Sequence, residues 1–300
     1  MKAALLPDRG VVKVAGTEAR KFLNGLVTAD MGQVAPTRPC FAALLTPQGK
    51  IIVDFIVAEA AAGGSFLLDC PRVLAPALVE RLGFYKLRAK ITVENQSETL
   101  GVMAIWDGAA RIFPSPASYY DPRLPELGLR CIVPPPFGAV AAAFGAELVD
   151  AAAYEAHRIA LGVPAGGLDF AYGDAFPHEA DMDQLHGVDF QKGCFVGQEV
   201  VSRMEHRGSA RTRVIPVAFA GAAPATGIAV TAGGKTVGVT GSAVAGRGLA
   251  MLRLDRVDEA RAGGAPLVAD GVELRLVKPA WARFAFPGEH KAAPDSEVAK

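Results

Sequence analysis

The sequence predicts an α+β fold closed at its C-terminal end by a small β-barrel. Helical and strand-like segments alternate through the first half without a run of strand–helix–strand units, which argues against a doubly wound parallel sheet. From Arg211 onward short β-rich segments are separated by glycines, as in a small barrel or sandwich. The chain has 300 residues, 51% of them hydrophobic, enough for two domains with sizeable cores.

Val11 to Val14 reads as a β-branched strand after the Asp8-Arg9-Gly10 turn. Thr17 is a candidate cap for a helix from Glu18 to Asn24, with Phe22, Leu23 and Leu26 as its apolar face and Gly25 as its stop. Phe41 to Leu45 and Ile51 to Val57 flank Thr46-Pro47-Gln48-Gly49-Lys50, a turn sequence that predicts a β-hairpin. Ser65 to Asp69 is a further strand. Pro71 opens a helix to Leu82 with Val73, Leu74, Ala77, Leu78 and Leu82 on one side. Arg88 to Glu94 and Leu100 to Trp106 read as strands, and the proline-rich stretch 114–138 as ordered connection that buries Tyr119, Tyr120, Leu124 and Leu129. Helices follow at Ala139 to Phe144 and Ala151 to Leu161. After the irregular region 165–210, strands are expected at Arg213 to Phe219, Gly227 to Thr231, Lys235 to Thr240, Leu249 to Leu254 and Val272 to Val277. This divides the chain into a body over 1–208, built of two intertwined subdomains, a barrel over 209–287 and a polar tail over 288–300.

Basic and acidic residues balance at 31 each, which argues against a general nucleic-acid binder. Cys40, Cys70, Cys131 and Cys194 lie far apart with no CxxC pair, so neither a zinc ribbon nor a self-contained iron–sulfur ligand set can be read from their spacing. The most apolar run, Phe137 to Val149, contains Glu147 and falls short of the roughly 20 residues a membrane span needs. No basic segment followed by an apolar core opens the chain, so the expected location is the cytoplasm, or the mitochondrial matrix in a eukaryote, although no transit peptide is seen. His157, His178, His186 and His206 show no metal-ligand spacing and read as scattered surface histidines.

The chemically dense stretch is 188–208, VDFQKGCFVGQEVVSRMEHRG. Lys192, Arg203 and Arg207 flank Cys194; Gly193 and Gly197 permit positive φ, and Gln198 to Met204 can start a helix just beyond. A helix N-terminus and a nearby ammonium both favour thiolate, and the same groups suit an anionic ligand. The alternative is that Cys194, like the other three cysteines, is a small buried hydrophobe.

Lys192 to Glu199, KGCFVGQE, resembles the K-G-C-[FY]-x-G-Q-E motif of the folate-binding YgfZ family, which is similar in fold to the glycine-cleavage aminomethyltransferase, or T-protein. The resemblance spans nearly the whole chain. Phe22 to Asp30 resembles the family's F-L-x-G-x-x-T-x-D segment, Thr46 to Val57 its hairpin, Tyr85 to Lys90 its Y-x-L-R-x-K segment, and Arg158 to Pro164 its R-x-x-x-G-x-P helix end. Pro177 to Asp183 resembles its P-x-E-x-N-[LM]-D turn, with Asp181 standing where the pattern has Asn.

The resemblance implies a body with a central pocket for tetrahydrofolate, or a one-carbon derivative, and a C-terminal barrel that closes it. It implies a role in maintaining iron–sulfur enzymes, including those that thiolate tRNA, through contact with those proteins or their assembly machinery. Cys194 is then the key thiol. Asn24, Asp30, Asp54, Arg158, Lys192, Gly193, Gly197, Gln198, Glu199 and Arg203 are the candidate folate-binding residues. T-proteins carry an aspartate pair in the first hairpin, where this chain has Val53-Asp54, and a pterin-holding glutamate near the position of Ala160. Both departures favour an accessory factor over an aminomethyltransferase. A folate-dependent one-carbon transferase and a non-catalytic folate-binding scaffold are the alternatives. Asp54 either faces solvent, pairing with Lys50, or lines the pocket. Asn24 and Asp30 shape their turn or touch ligand. Arg158 meets a folate carboxylate or forms an interdomain salt bridge, and Glu199 complements its own helix N-terminus with or without a ligand.

Overall fold

A computed structural model describes residues 1–108, 117–208 and 210–288. The chain opens with β1 (Lys2–Leu5), β2 (Arg9–Ala15) and α1 (Ala19–Asn24), followed by the hairpin of β3 (Cys40–Leu45) and β4 (Ile51–Glu59). Next come β5 (Ser65–Pro71), α2 (Ala75–Lys86), β6 (Thr92–Asn95), β7 (Gly101–Trp106), β8 (Ala117–Tyr120) and β9 (Leu129–Val133). The body is completed by α3 (Phe137–Ala143), β10 (Glu147–Leu148), α4 (Ala151–Ala160) and α5 (Gln198–Arg207). The C-terminal part consists of β11 (Thr212–Ala218), β12 (Ala229–Ala232), β13 (Lys235–Val244), β14 (Arg247–Arg253), α6 (Leu254–Ala262), β15 (Leu267–Ala269) and β16 (Val272–Leu276).

The body holds two five-stranded sheets, ordered β10-β1-β7-β9-β8 and β3-β4-β5-β2-β6, and the C-terminal strands form a closed barrel, β11-β14-β13-β12-β15-β16. Every pairing is antiparallel except the short β1–β10 contact. The second sheet is covered on both faces, which is why β3 and β4 read as nearly continuous apolar runs rather than an alternation. Val53, Phe55 and Val57 face one core with Leu23, Val27, Leu78 and Leu82. Ile56 and Ala58 face the other, with Trp106, Tyr119 and Phe195. Asp54 shares the parity of Ile56 and Ala58 and so points toward the inter-sheet side.

A ladder of buried ion pairs joins the sheets. Arg9 Nε donates to Asp69 Oδ1 at 2.6 Å, and Arg130 Nη1 donates to Asp69 Oδ2 at 2.6 Å. Arg130 Nε and Arg123 Nη2 both reach Asp121 Oδ2 at 2.8 Å. The barrel is fastened to the body through Asp169. Its Oδ1 accepts from the Ser242 amide at 2.7 Å and hydroxyl at 2.6 Å, and its Oδ2 accepts from Arg158 Nη1 at 2.9 Å and the Ala165 amide at 2.8 Å.

Several local expectations change. Glu18, not Thr17, occupies the N-cap of α1, and no side chain caps it. Pro71 ends β5; a 3-10 turn over Arg72–Leu74 precedes α2 and rotates Val73 and Ala77 into solvent. The strand expected from Arg88 begins only at Thr92, because the chain leaves α2 through Leu87 at φ +46. The proline-rich stretch holds β8 and β9, and its first three residues lie outside the described ones. The described prolines of the stretch all lie outside β8 and β9, where a missing amide costs the ladder nothing. The tail from 289 lies outside the described residues. No described helix is long and apolar enough to cross a membrane.

Candidate functional site

Three sequence segments separated by up to 170 positions meet around Cys194. The first is the turn after α1. There Thr28 is fully buried, accepts from the Ala43 amide at 2.8 Å and donates to the Gly187 carbonyl at 2.6 Å. Asn24 Oδ1 accepts from the Met31 amide, and Asp30 Oδ1 from the Gly32 amide, so both side chains shape this turn. The second is the β3–β4 turn with Gly49 at φ +82. The third is the 187–198 loop itself, whose Asp189 amide donates to the Thr28 carbonyl at 2.9 Å.

Lys192 pins the loop from below. Its buried ammonium donates to the carbonyls of Asn24 (2.8 Å), Val27 (2.7 Å) and Ala29 (2.8 Å), using all three of its donors. Burial lowers its pKa to about 8, against the opposing pull of Asp30, Cys40 and Asp189. It is therefore a clamp and not a cation offered to an incoming anion. Phe195 enters the inter-sheet core, while Val196 packs against the α1–α2 core. Gly197, at φ +82, caps α5 from the left-handed region; Gly193 keeps an ordinary φ and has open space where a Cβ would stand. Gln198 accepts from the Phe195 amide at 3.4 Å.

These anchors on both sides leave Cys194 exposed. It is the only exposed one of the four thiols. Burial pushes Cys40, Cys70 and Cys131 each up to about 12, with Lys192 partly offsetting this at Cys40. An exposed thiol on a rigid loop can act as a nucleophile or as a ligand to a soft metal or cluster presented by another molecule. Glu199 and Arg203, both exposed, pair with each other at 2.6 Å on the surface of α5.

A second feature lies elsewhere in the body: a cavity of about 530 Å³ lined by Arg9, Asp54, Arg123, Arg130, Tyr154, Arg158 and neighbouring residues. Asp54 is buried and accepts from the Tyr172 hydroxyl; Lys50 instead pairs with Asp174 at 3.6 Å. Burial, reinforced by Asp54, raises the Tyr172 phenol far above its ordinary range, so it stays a donor. Arg158 borders the cavity, but its guanidinium is spent on Glu155, the Val163 carbonyl, Asp169 and Ser242. It forms the interdomain bridge. The lining of the cavity includes Asp54 and Arg158 and none of Asn24, Asp30, Lys192, Gly193, Gly197, Gln198, Glu199 or Arg203. Sequence reasoning missed Arg9, Arg123, Arg130 and Tyr172; the three arginines line the cavity while paired with Asp69 and Asp121, and no local sequence signal marks them.

The histidines do not all lie at the surface. His178 is 2% exposed, and His157 stacks on Trp106 with ring centroids 5.9 Å apart.

Residues 211–284 match the family model described as the CAF17 C-terminal beta-barrel domain. The chain is 33% identical over 282 residues to the human mitochondrial iron–sulfur cluster assembly factor IBA57, covering 84% of this chain and 77% of that protein. It is 36% identical over 231 residues to the IBA57 homolog of Mycosarcoma maydis, covering 73% of this chain but only 57% of the fungal protein. In fold it is similar to the glycine cleavage system aminomethyltransferase T of Bartonella henselae, with a TM-score of 0.71 over 95% of this chain and 87% of that one, at 15% identity. That likeness confirms the T-protein-like α+β body with its closed six-stranded barrel. The relatives are mitochondrial by name, which lends no support to a cytoplasmic location. The chain belongs to the IBA57 family, which lies within the YgfZ family that its KGCFVGQE loop resembles.

Proposed function

We propose that this protein assists the assembly or repair of iron–sulfur enzymes, with Cys194 as its working thiol and tetrahydrofolate, or a one-carbon derivative, bound in the arginine-lined cavity. The observation that carries the reading is the state of Cys194: one exposed thiol beside two buried ones and a half-buried Cys40, held out on a loop clamped by Lys192 and Phe195. Iron–sulfur chemistry needs a thiolate that a partner can reach, and a lone cysteine suits transient rather than permanent ligation. The names of the relatives point the same way. By that reading its partners are iron–sulfur proteins or their assembly machinery, including enzymes that thiolate tRNA, and a mitochondrial location is the one the relatives' names favour.

The cavity supports the folate half of the reading. Its volume lies within the range of small-molecule sites, roughly 300–1,000 Å³. Arg9, Arg123 and Arg130 line it, each with two guanidinium nitrogens bonded to Asp69 or Asp121 and one left over for a ligand carboxylate, and Asp54, held by the Tyr172 hydroxyl, offers an acceptor for a pterin-like ring. Cys194 and Asp54 do not share this cavity, which counts against a one-carbon transfer that would use both.

The test pairs complementation with binding. Cys194→Ala should fail to restore iron–sulfur enzyme activity in a strain lacking the homologous factor, yet keep the rise in Tm that tetrahydrofolate gives the parent protein. Asp54→Ala should reduce that rise. Full complementation by Cys194→Ala overturns the role of the thiol, and no shift with millimolar tetrahydrofolate overturns the cavity's ligand.

A further inference from the structure

Arg213, on β11, meets two carboxylates from the turn that precedes the Cys194 loop. Its Nη1 donates toward the His178 carbonyl at 2.8 Å and toward Asp181 Oδ1 and Asp183 Oδ1, both at 2.9 Å, and its Nη2 donates to Asp183 Oδ2 at 2.8 Å. Gln184 Nε2 adds a bond to Asp183 Oδ2 at 2.6 Å. Asp181 is fully buried, and its Oδ2 has no hydrogen-bond partner. The other titratable groups of this junction, His178 and Glu205, pair with each other at 3.0 Å and bring Asp181 no hydrogen.

A count of hydrogens separates the two aspartates. Nη1 carries two hydrogens and faces three oxygens, so one oxygen goes without. Asp183 takes both arms of the guanidinium and the Gln184 amide, the bidentate arrangement that suits an ionised carboxylate. Asp181 has a share of one hydrogen on Oδ1 and nothing on Oδ2. A buried charged oxygen without a donor costs far more than a buried neutral hydroxyl. One guanidinium balances one charge, and two carboxylates sharing such a site keep a proton between them. Burial drives the Asp181 carboxyl well up, against the pull of Arg213 and with the charge of Asp183 adding to the rise. Burial acts upward on Asp183 too, but the bonds from Arg213 and Gln184 outweigh it and hold that group below its ordinary value.

We propose that Asp181 is a neutral carboxylic acid at physiological pH and serves as a pH-sensitive latch between the barrel and the root of the Cys194 loop. The turn that it locks runs directly into that loop: the Gly187 amide donates to the Met182 carbonyl at 2.7 Å, and the Gly187 carbonyl accepts the Thr28 hydroxyl at 2.6 Å. On the barrel side the Val214 amide donates to the Glu179 carbonyl at 3.1 Å, and the Arg213 guanidinium lies 4.3 Å from the centre of the Phe284 ring. With its proton in place the Arg213 cluster holds one negative charge against one positive charge. Loss of the proton as pH rises leaves a second negative charge on an oxygen without a donor, and the two aspartates then repel each other and compete for Arg213. The latch does not depend on the role proposed for Cys194.

The experiment compares the full-length protein with Asp181→Asn, which keeps the shape of the side chain, tolerates φ +56 and cannot ionise. The infrared difference spectrum at neutral pH should show the carbonyl band of one protonated carboxylic acid in the parent and not in the variant. A carboxyl whose folded-state pKa is raised contributes stability that is complete below its unfolded value and is lost as pH rises through the folded one. In a Tm series from about pH 4 to about pH 9, the Asn variant should therefore gain on the parent as pH rises and exceed it above neutrality. Titration of His178, Asp183 and Glu205 is common to both proteins and drops out of the comparison. Hydrogen exchange of the Gly187 and Val214 amides reads the latch itself: the ratio of parent to variant rates should climb over the same range. Absence of the carbonyl band overturns the proposal. So does an Asn variant whose Tm stays below the parent's by a constant margin, the behaviour of an ionised partner of Arg213. An exchange ratio that does not change with pH overturns the latch.

Discussion

Gly197 and Gly49 meet face to face beneath the Cys194 loop: a Cβ on Gly197 would stand 3.1 Å from the Gly49 Cα and 2.6 Å from the Thr46 carbonyl oxygen. Both have φ +82. Gly197 is thus required twice, by its conformation and by the hairpin turn beneath it, whereas Gly49 is required by its conformation, with Val200 Cβ 3.1 Å from where its own Cβ would stand. Gly197→Ala should destabilise the protein by at least about 1–3 kcal/mol from backbone strain alone. Gly193→Ala, four residues earlier, meets nothing and should stay within about 0.5 kcal/mol of the parent. Urea denaturation midpoints of the two variants measure the difference; equal midpoints would show that the loop does not rest on the hairpin turn.

The exposure of Cys194 makes a counting prediction. A thiol reagent added to native protein at neutral pH should modify one cysteine rapidly and the other three only after denaturant is added. Cys194→Ser should abolish the fast phase without moving Tm, since the side chain contributes little to either core. A fast phase of two thiols would implicate Cys40, which sits partly exposed at the start of β3.

The ion-pair ladder sets the behaviour in acid. Burial pushes Asp121 upward, but Arg123 and Arg130 pull harder and hold it well below its ordinary value of 3.8. A carboxyl with a depressed folded-state pKa contributes stability that is complete above its unfolded pKa and disappears as pH falls through the folded one. Asp121 therefore keeps stabilising the fold at pH 4 and gives up its contribution progressively below about 3.8. Asp121→Asn strands the buried Arg123 guanidinium and leaves Arg130 with Asp69 as its charged partner, and it should cost about 3–5 kcal/mol at neutral pH. In a pH series of Tm values, the gap between parent and variant should narrow only below that range. A gap that closes already at pH 5 would show that Asp121 is not the group held down.

Much of this was legible in the sequence, and the rest was hidden for definable reasons. The hairpin, α4, α5 and the barrel strands carry turn residues and apolar periods strong enough to read directly. The KGCFVGQE loop stood out because glycines, a lysine and a cysteine together have few bland uses. Which side chains lie free was not legible. Lys192 looks like a cation for a ligand until the carbonyls of Asn24, Val27 and Ala29, more than 160 residues earlier in the chain, accept all three of its hydrogen bonds. Arg158 was open between ligand and bridge, and only the approach of Ser242 from the barrel decides it. The cavity arginines come from β2, β9 and the β8–β9 connection, segments with no shared pattern, so nothing in the sequence brings them together.

The barrel's attachment concentrates on one carboxylate. Both oxygens of Asp169 are doubly occupied, by Ser242 on one side and by Arg158 and the Ala165 amide on the other. A Cβ on Gly241 would fall 2.4 Å from Asp169 Oδ1, so the strand presses directly on the carboxylate. Asp169→Asn replaces one acceptor with a donor that must face another donor, and it leaves Arg158 with only Glu155 as a charged partner. The expected loss is about 3–5 kcal/mol, against about 1 kcal/mol for Ser242→Ala, which removes one hydrogen bond and no charge. Trp281 reports where the loss occurs, because its indole donates to the Leu161 carbonyl at 2.9 Å across the same junction. If Asp169 is the fastener, the Asn variant should shift Trp281 fluorescence at lower denaturant than it loses its far-ultraviolet circular dichroism, while the parent loses both together. Coincident transitions in the variant would mean that the barrel is held by its apolar contacts with α4 and not by this carboxylate.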